Sequence, residues 1–316
     1  MSCTTRQAVK IEPPRELLID SMMERIKRNS PDIKKYFILD ENREIIVKAD
    51  LTGTWPDTNE IEHFEVIYDL KYPEAGSGGA FLIPFSVRSS ETGETRYDRL
   101  TWKPRKDVTG VLLSFDDDFM ENWEENFDLF DQYNARVTFF IQGDYNSFCI
   151  TALERGHDIG YHTQNHLNLT KVSREVFDEE TSFYIDDFRN EGVPLTSFAY
   201  PFGLSEPWMH DELLESFKIL RGYGVTYRLY ERTSIREGFS SSKALDNILF
   251  KKDEDFEAAI DIMFRTVMFI GGDLILPLTT HIISDDADWG IKPHRLRYLL
   301  ESAKDLQLNF YRYKDL

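Results

Sequence analysis

Residues 111–142 read VLLSFDDDFMENWEENFDLFDQYNARVTFFIQ. An apolar run, VLLSF, is followed by a helical pattern, NWEENFDLFDQYN, and then by a second β-rich run, VTFFIQ. The same rhythm continues through the rest of the chain. HDIGYH (157–162), SFAYPF (197–202), GVTYRLY (224–230), LILPLTTH (274–281) and LNFYRY (308–313) read as further strands, seven in all. SREVFDEETSFYIDDFRN, HDELLESFKIL, DFEAAIDIMFRTVMF and HRLRYLLESAKDLQ read as the helices between them. Regular βα alternation over about 200 residues implies a parallel sheet with helices outside, either doubly wound or closed into a barrel.

Upstream the pattern differs. PRELLIDSMMERIKRN (14–29) places Leu17, Leu18, Ser21, Met22 and Ile26 near helical spacing, which predicts one amphipathic helix. YFILD, EIIVKADL, HFEVIYDLKY, AFLIPFSVRS and RYDRLTWK are β-rich runs separated by turn chemistry such as DENR, TWPDTNE and EAGSGG. The expected organisation is therefore a helix plus an antiparallel β-rich accessory domain over 1–105 and an α/β domain over 106–316, with KPRKDVTG as the linker. Aromatics in the strands of 36–103 serve packing or oligomerisation on this reading, or a sugar-binding surface. The oligomeric state is open, and a homo-oligomer is allowed.

With 316 residues, 41% hydrophobic and 14% aromatic, the chain has ample material for a core. Its formal charge of -19, from 56 acidic against 37 basic residues, repels phosphate backbones and anionic headgroups. Nucleic acid and membrane are thus not expected partners. The first thirty residues hold no apolar run before a small-residue cleavage site, and TVMFIGGDLILPL is too short and carries Asp273. A cytoplasmic location is expected unless an export signal precedes the sequence. Cys3 and Cys149 cannot make a disulfide framework.

In parallel α/β architectures chemistry gathers at the carboxyl ends of the strands. The polar outliers fall there: SFDDDF (114–119), His162 with His166 just beyond it, AYPFG (199–203) and His281. His162 and His166 form an HxxxH pair, a spacing that on a helical turn brings both imidazoles to one face, able to reach one ion. Three successive aspartates after an apolar strand are costly unless a cation or proton compensates them. An Asp-rich turn capping a helix near Glu121 would account for one or two of them. Carboxylate and histidines together favour a metal site.

The order SFDDD, GHDIGYHTQNH, FAYPFG, TTH resembles the polysaccharide deacetylase family, carbohydrate esterase family 4, over residues 106–316. The resemblance implies a distorted seven-stranded (β/α) barrel. It also implies a metal-dependent hydrolase that removes N-acetyl groups from N-acetylhexosamine units of a poly- or oligosaccharide, with water on the ion as nucleophile. Asp116 would be the general base and His281 the catalytic acid; Asp117, His162 and His166 would hold a divalent metal, zinc before cobalt or another ion. Tyr200, Pro201 and Phe202 would wall the substrate groove, with the Phe202 N–H supporting the oxyanion. His157 and Gly160 match packing positions.

Four departures stand out. Asp118 replaces a common glycine, and Ala199 stands where relatives have the arginine that steadies the base, so another cation must serve or the base is held differently. The late strand reads ILPLTTH, and DDADW (285–289) spells a family motif but follows His281, leaving Trp289 as a groove wall. The competing expectations are a carbohydrate-binding protein on the same fold and a 2-His-1-carboxylate Fe(II) oxygenase, whose ligand types are the same.

Overall fold

A computed structural model describes residues 16–29, 36–39, 45–54, 60–69, 74–75, 81–102, 109–193, 195–235, 238–270 and 273–316. The chain divides into two compact units, residues 1–104 and 105–316. Most of the expected linker, 103–108, lies outside the described residues, as do the DENR turn and most of the TWPDTNE and EAGSGG turns.

In the first unit, helix α1 (Glu16–Asn29) accompanies strands β1 (Tyr36–Leu39), β2 (Ile45–Thr54), β3 (Ile61–Tyr68), β4 (Glu74–Ala75), β5 (Phe81–Ser89) and β6 (Thr95–Trp102). The strands form one antiparallel sheet in the order β1-β2-β3-β5-β4, with β6 on β5. Period-two alternation buries Phe64, Val66 and Tyr68 on β3 and Ile83, Phe85 and Val87 on β5. The helix buries Leu18, Ile19, Met22, Met23 and Ile26, while Ser21 is exposed. A Cβ at Gly53 would lie 3.1 Å from Phe64 and 3.3 Å from Leu18 and Met22, so β2 and the helix meet there closely. Among the described residues Phe64, Tyr68 and Phe85 are core aromatics, whereas Tyr97 is 80% exposed.

The second unit is a closed barrel. Its ring strands are β7 (Gly110–Asp117), β8 (Thr138–Ile141), β9 (Asp158–Tyr161), β10 (Ser197–Ala199), β11 (Ile219–Gly224), β13 (Gly238–Ala244) and β14 (Leu274–Thr280). Consecutive members pair in parallel, and β14 returns to β7 through Ile275–Thr280 against Gly110–Phe115, closing the seven-stranded ring. The short strand β12 (Tyr230–Glu231) adds antiparallel to β14, outside the ring, and β15 (Ile282–Ile283) pairs in parallel with β16 (Gly290–Ile291) in a separate two-stranded sheet. Helices α2 (Met120–Glu125), α3 (Phe127–Gln132), α4 (Ser147–Glu154), α5 (Arg174–Ser182), α6 (Ile185–Asn190), α7 (Pro207–Leu213), α8 (Arg232–Ile235), α9 (Asp253–Ile270) and α10 (Pro293–Asp305) fall between and after the strands. No helix among the described residues is long and apolar enough to cross a membrane.

Two expected strands are corrected. GVTYRLY contributes only Gly224 to β11 and Tyr230 to β12; the ring strands on either side of it are ILRGYG and GFSSSKA. The second was illegible because its inward positions, Ser240 and Ser242, are buried yet polar, so it lacks an apolar strand signature. LNFYRY yields β17 (Asn309–Tyr311), which pairs with the lower half of β7 and is not a ring member. A Cβ at Gly110 would lie 2.4 Å from the Asn309 carbonyl oxygen, so only glycine admits this strand.

Beyond β17 the chain turns inward. Tyr313 is buried among Leu112, Phe140, Ile219 and Ile275, its ring edge-on to Phe140 at 5.1 Å. Its hydroxyl shares a 3.2 Å hydrogen bond with Ser242 Oγ, and its N–H donates to Thr138 Oγ1 at 3.0 Å. Tyr313 is thus the stopper of the barrel's lower end. Tyr313→Ala should cost about 3–5 kcal/mol of stability, the range for emptying a buried aromatic site. A lowered urea midpoint is expected for the barrel transition, and a midpoint equal to wild type would contradict this role.

Candidate active site

The carboxyl ends of the ring strands bring the sequence outliers together, and the barrel's cross-section explains how. Asp116 points into the barrel from the end of β7 and is fully buried. Its lateral neighbours run Phe140 on β8 and Gly160 on β9; in the same way Ala199 on β10 lies beside Arg221 on β11. Gly160 has to be small, because a Cβ there would lie 2.4 Å from the Phe140 ring. The Arg221 guanidinium lies over that ring, 5.1 Å from its centroid, and donates from Nη2 to Asp116 Oδ2. This buried ion pair answers the absence of arginine at position 199. The cation comes from the next strand at the same level.

Asp117 follows with φ 89°, a left-handed conformation, and its side chain meets His162 and His166. Its Oδ1 lies 3.4 Å from His162 Nε2 and 3.3 Å from His166 Nε2, and it accepts from Gln142 Nε2 at 3.3 Å. Burial disfavours its charge, but the neighbouring imidazoles, His162 first, win, and its pKa falls to about 2. Burial and His162 lower that of His166. Asp117 is therefore ionised at neutral pH, with His166 biased toward its neutral form.

The expected helical turn between the two histidines is not what brings them together. Residues 162–168 are loop, with Thr163 at φ 70° and His166 at φ 55°. Three hydrogen bonds fix this shape. His166 N–H donates to Thr163 Oγ1 at 3.0 Å, Gln164 N–H to the Glu180 carbonyl at 3.0 Å, and Asn165 N–H to Glu180 Oε2 at 2.8 Å. Asn165 Nδ2 also reaches Glu180 Oε1 at 2.6 Å, so one buried carboxylate on α5 clamps the loop. His162 Nδ1 lies 2.8 Å from the Ala199 carbonyl, which can only accept; Nδ1 therefore carries the proton and Nε2 presents its lone pair.

Asp117, His162 and His166 offer three donor atoms within 4.8 Å of one another. Donors about 2.0–2.1 Å from a tetrahedral ion lie roughly 3.3–3.4 Å apart, which matches the two measured carboxylate–imidazole separations. The donor set therefore fits a divalent cation. Asp118 is exposed and outside this cluster, and α2 is preceded by Phe119 without a side-chain cap. Helix capping does not explain the aspartate run.

Across the groove, His281 follows β14 and is almost buried. Its Nδ1 lies 2.9 Å from Asp246 Oδ1, which also accepts from Thr280 Oγ1 at 3.0 Å. Burial opposes its protonation, but the Asp246 hydrogen bond and charge, aided by Asp116 and Asp117, raise its pKa to about 9. Trp123 Nε1 on α2 donates to the His281 carbonyl at 2.9 Å. Trp289, 54% exposed, meets His281 edge-on at 6.2 Å. The carboxylate partner of His281 is thus Asp246, and no aspartate of 285–289 plays that part.

The AYPFG stretch divides. Tyr200 and Pro201 are buried, with Tyr200 packed against Phe198, while Phe202 is 48% exposed and 4.6 Å from the His166 ring. Of the three expected groove walls only Phe202 faces outward, and its φ of 60° holds it there. His157 is structural: its ring stacks on Phe127 at 5.0 Å, and burial lowers its pKa to about 3. Sequence reasoning missed Arg221, Asp246 and Glu180, which lie in stretches without motif signal.

The family model described as polysaccharide deacetylase matches residues 103–220. No curated protein matches. Among solved structures, peptidoglycan deacetylase PdaC from Bacillus subtilis is similar at 15% identity, covering 66% of this chain and 90% of its own, with a TM-score of 0.46. The chitin deacetylase of Colletotrichum lindemuthianum is similar at 13% identity, with 66% and 89% covered and a TM-score of 0.46. A family 4 carbohydrate esterase from Streptomyces lividans shows 16% identity, 64% and 91% covered, and a TM-score of 0.44.

The clamp on the ligand loop is directly testable. Glu180→Ala leaves the Asn165 donors unpaired and should weaken zinc binding by about 10–100-fold, as loss of outer-shell support commonly does. Calorimetric titration reads this; an affinity equal to wild type would show that the loop holds its shape unaided.

Proposed function

With residues 103–220 matching the polysaccharide deacetylase family, we propose that this chain is a metal-dependent hydrolase that removes N-acetyl groups from N-acetylhexosamine units of a poly- or oligosaccharide. The reading is carried by three features brought to one end of the barrel: Asp116 bound by Arg221, the Asp117–His162–His166 cluster, and His281 bound by Asp246.

Asp117, His162 and His166 would hold the divalent ion, zinc before cobalt. When bound, the ion would polarise water and the acetyl carbonyl and lower the pKa of water to about 7. The chain's own residues supply the rest. Arg221 occupies Asp116 Oδ2, so Oδ1 is the atom that accepts the proton of the attacking water. The Phe202 N–H, in its left-handed turn, supports the developing oxyanion, an interaction typically worth about 3 kcal/mol. His281, held at Nδ1 by Asp246, gives its Nε2 proton to the departing nitrogen as the carbon–nitrogen bond breaks. Products are acetate and an amino sugar.

The seven-stranded ring argues against the oxygenase alternative, whose sites commonly lie in β-sandwich barrels. Zinc-loaded protein should release acetate from an N-acetylglucosamine oligomer. Asp117→Ala should lose both metal and turnover, whereas Asp116→Ala should keep metal and lose turnover. Oligomer binding without acetate release from wild type would instead support the carbohydrate-binding alternative.

A pH profile tests the acid. A histidine raised to about 9 is protonated at neutral pH, and its contribution vanishes as pH rises through that value. Asp246→Asn removes the principal raising influence and leaves burial, which lowers, against the smaller raising by Asp116 and Asp117. The alkaline limb of kcat should then move down toward or below the ordinary 6.5. An unmoved limb would assign the acid elsewhere.

A further inference from the structure

We propose that Tyr223 contacts the sugar: its ring floors the groove between the Asp116 and His281 flanks, and its hydroxyl donates a hydrogen bond to the substrate. This rests on the deacetylase reading above and adds to it a residue that no motif marks.

Three independent contacts place the ring. On β11 Tyr223 follows Arg221 by two positions, so alternation turns both side chains to the same face and sets Tyr223 one level nearer the mouth. The Arg221 guanidinium carbon lies 5.7 Å from the Tyr223 ring centroid. The His281 ring stands edge-on to it at 6.0 Å. From the third side comes the turn that carries Phe202. A Cβ at Gly203, which has φ 67°, would lie 2.9 Å from the Tyr223 backbone nitrogen and oxygen and 3.1 Å from its ring. Only glycine lets that turn settle onto Tyr223, and the same turn sets Phe202 against the metal-cluster histidine His166. Tyr223 is thus bounded by the support of the base, by the acid, and by the wall beside the metal cluster.

Its exposure separates it from packing aromatics. Tyr200 and Phe140 are fully buried, whereas Tyr223 keeps part of its surface in solvent at the open end of the ring. An aromatic face with a polar tip in that position suits a sugar, whose C–H face lies on the ring and whose hydroxyls or carbonyl accept the phenolic proton. Burial, reinforced by Asp116, pushes its pKa to about 12, so the hydroxyl remains a donor throughout the neutral range.

The experiment compares zinc-loaded wild type with Tyr223→Phe and Tyr223→Ala on an N-acetylglucosamine tetramer. It follows acetate release, calorimetric affinity for the tetramer, zinc content and melting temperature. Tyr223→Phe should lower kcat/KM by about 5–20-fold, the loss of one substrate hydrogen bond, with zinc content and melting temperature unchanged. Tyr223→Ala should lose more than Tyr223→Phe in tetramer affinity. Kinetics of Tyr223→Phe within twofold of wild type would overturn the hydroxyl's role, and equal tetramer affinity of Tyr223→Ala would overturn the ring's. If wild type releases no acetate, the deacetylase reading fails separately. The affinities then decide: weaker binding by the variants supports a sugar contact, and unchanged or absent binding overturns it.

Discussion

Inside the barrel two opposite charges, Asp116 and Arg221, meet with no exposure to solvent. Each alone would be prohibitive there; together, with good geometry, they are tolerable, and removing one partner of such a pair typically costs about 3–5 kcal/mol. Much of the second unit can be understood as what this pair requires. Phe140 gives the guanidinium an aromatic face, Gly160 leaves that ring its space, and Ala199 presents only a methyl group beside the cation. Ser240 lies beside Arg221 in register, and Ser242 lies beside Tyr223. Below this polar layer, Leu112, Ile219, Ile275 and Tyr313 form the apolar base that ends the barrel.

Above the pair, backbone strain does the positioning. Asp117, Thr163, His166 and Phe202 all occupy left-handed conformations that residues with a Cβ seldom adopt. Such conformations persist only where neighbouring structure over-determines them. Here the neighbours are identifiable: the Glu180 clamp on Asn165, the Thr163 hydroxyl on the His166 N–H, and the Gly203 N–H on the Tyr200 carbonyl at 2.9 Å. Adjacent aspartates on one strand can then meet different partners. Asp116 continues the inward alternation of β7, and the turn at Asp117 redirects the second carboxylate toward the imidazoles.

Sequence reading reached the parts of this site that signal by residue type. The aspartate run, the histidine pair and His281 stand out because polar residues interrupt apolar strands, and βα alternation indicated where those strands end. The antiparallel unit was equally legible from its alternating strands and turn residues. What stayed hidden depends on register. Arg221 looks like any arginine in ILRGYG until β11 is aligned with β10, and Asp246 looks like a loop residue until the His281 ring is seen beside it. GFSSSKA was unreadable as a strand because its inward serines belong to the polar layer around the ion pair. The HxxxH spacing suggested a helical turn, but two left-handed residues achieve the same convergence in a loop.

The meeting of Arg221 on β11 with Asp116 on β7 follows from the cross-section of a closed barrel. Side chains at one level point toward a common axis, so groups from adjacent strands can reach the same atom if one is long enough. Ala199 and Arg221 are register partners, and the guanidinium has the reach and the planar donors to meet Oδ2 across Phe140. A short side chain at 199 is then a condition of the arrangement, since a second large group at that level would compete for the space above Phe140. The Ala199 carbonyl meanwhile accepts from His162 Nδ1. One position therefore makes room for the cation that pairs with Asp116 and orients the His162 imidazole, tying the two to a single stretch of backbone.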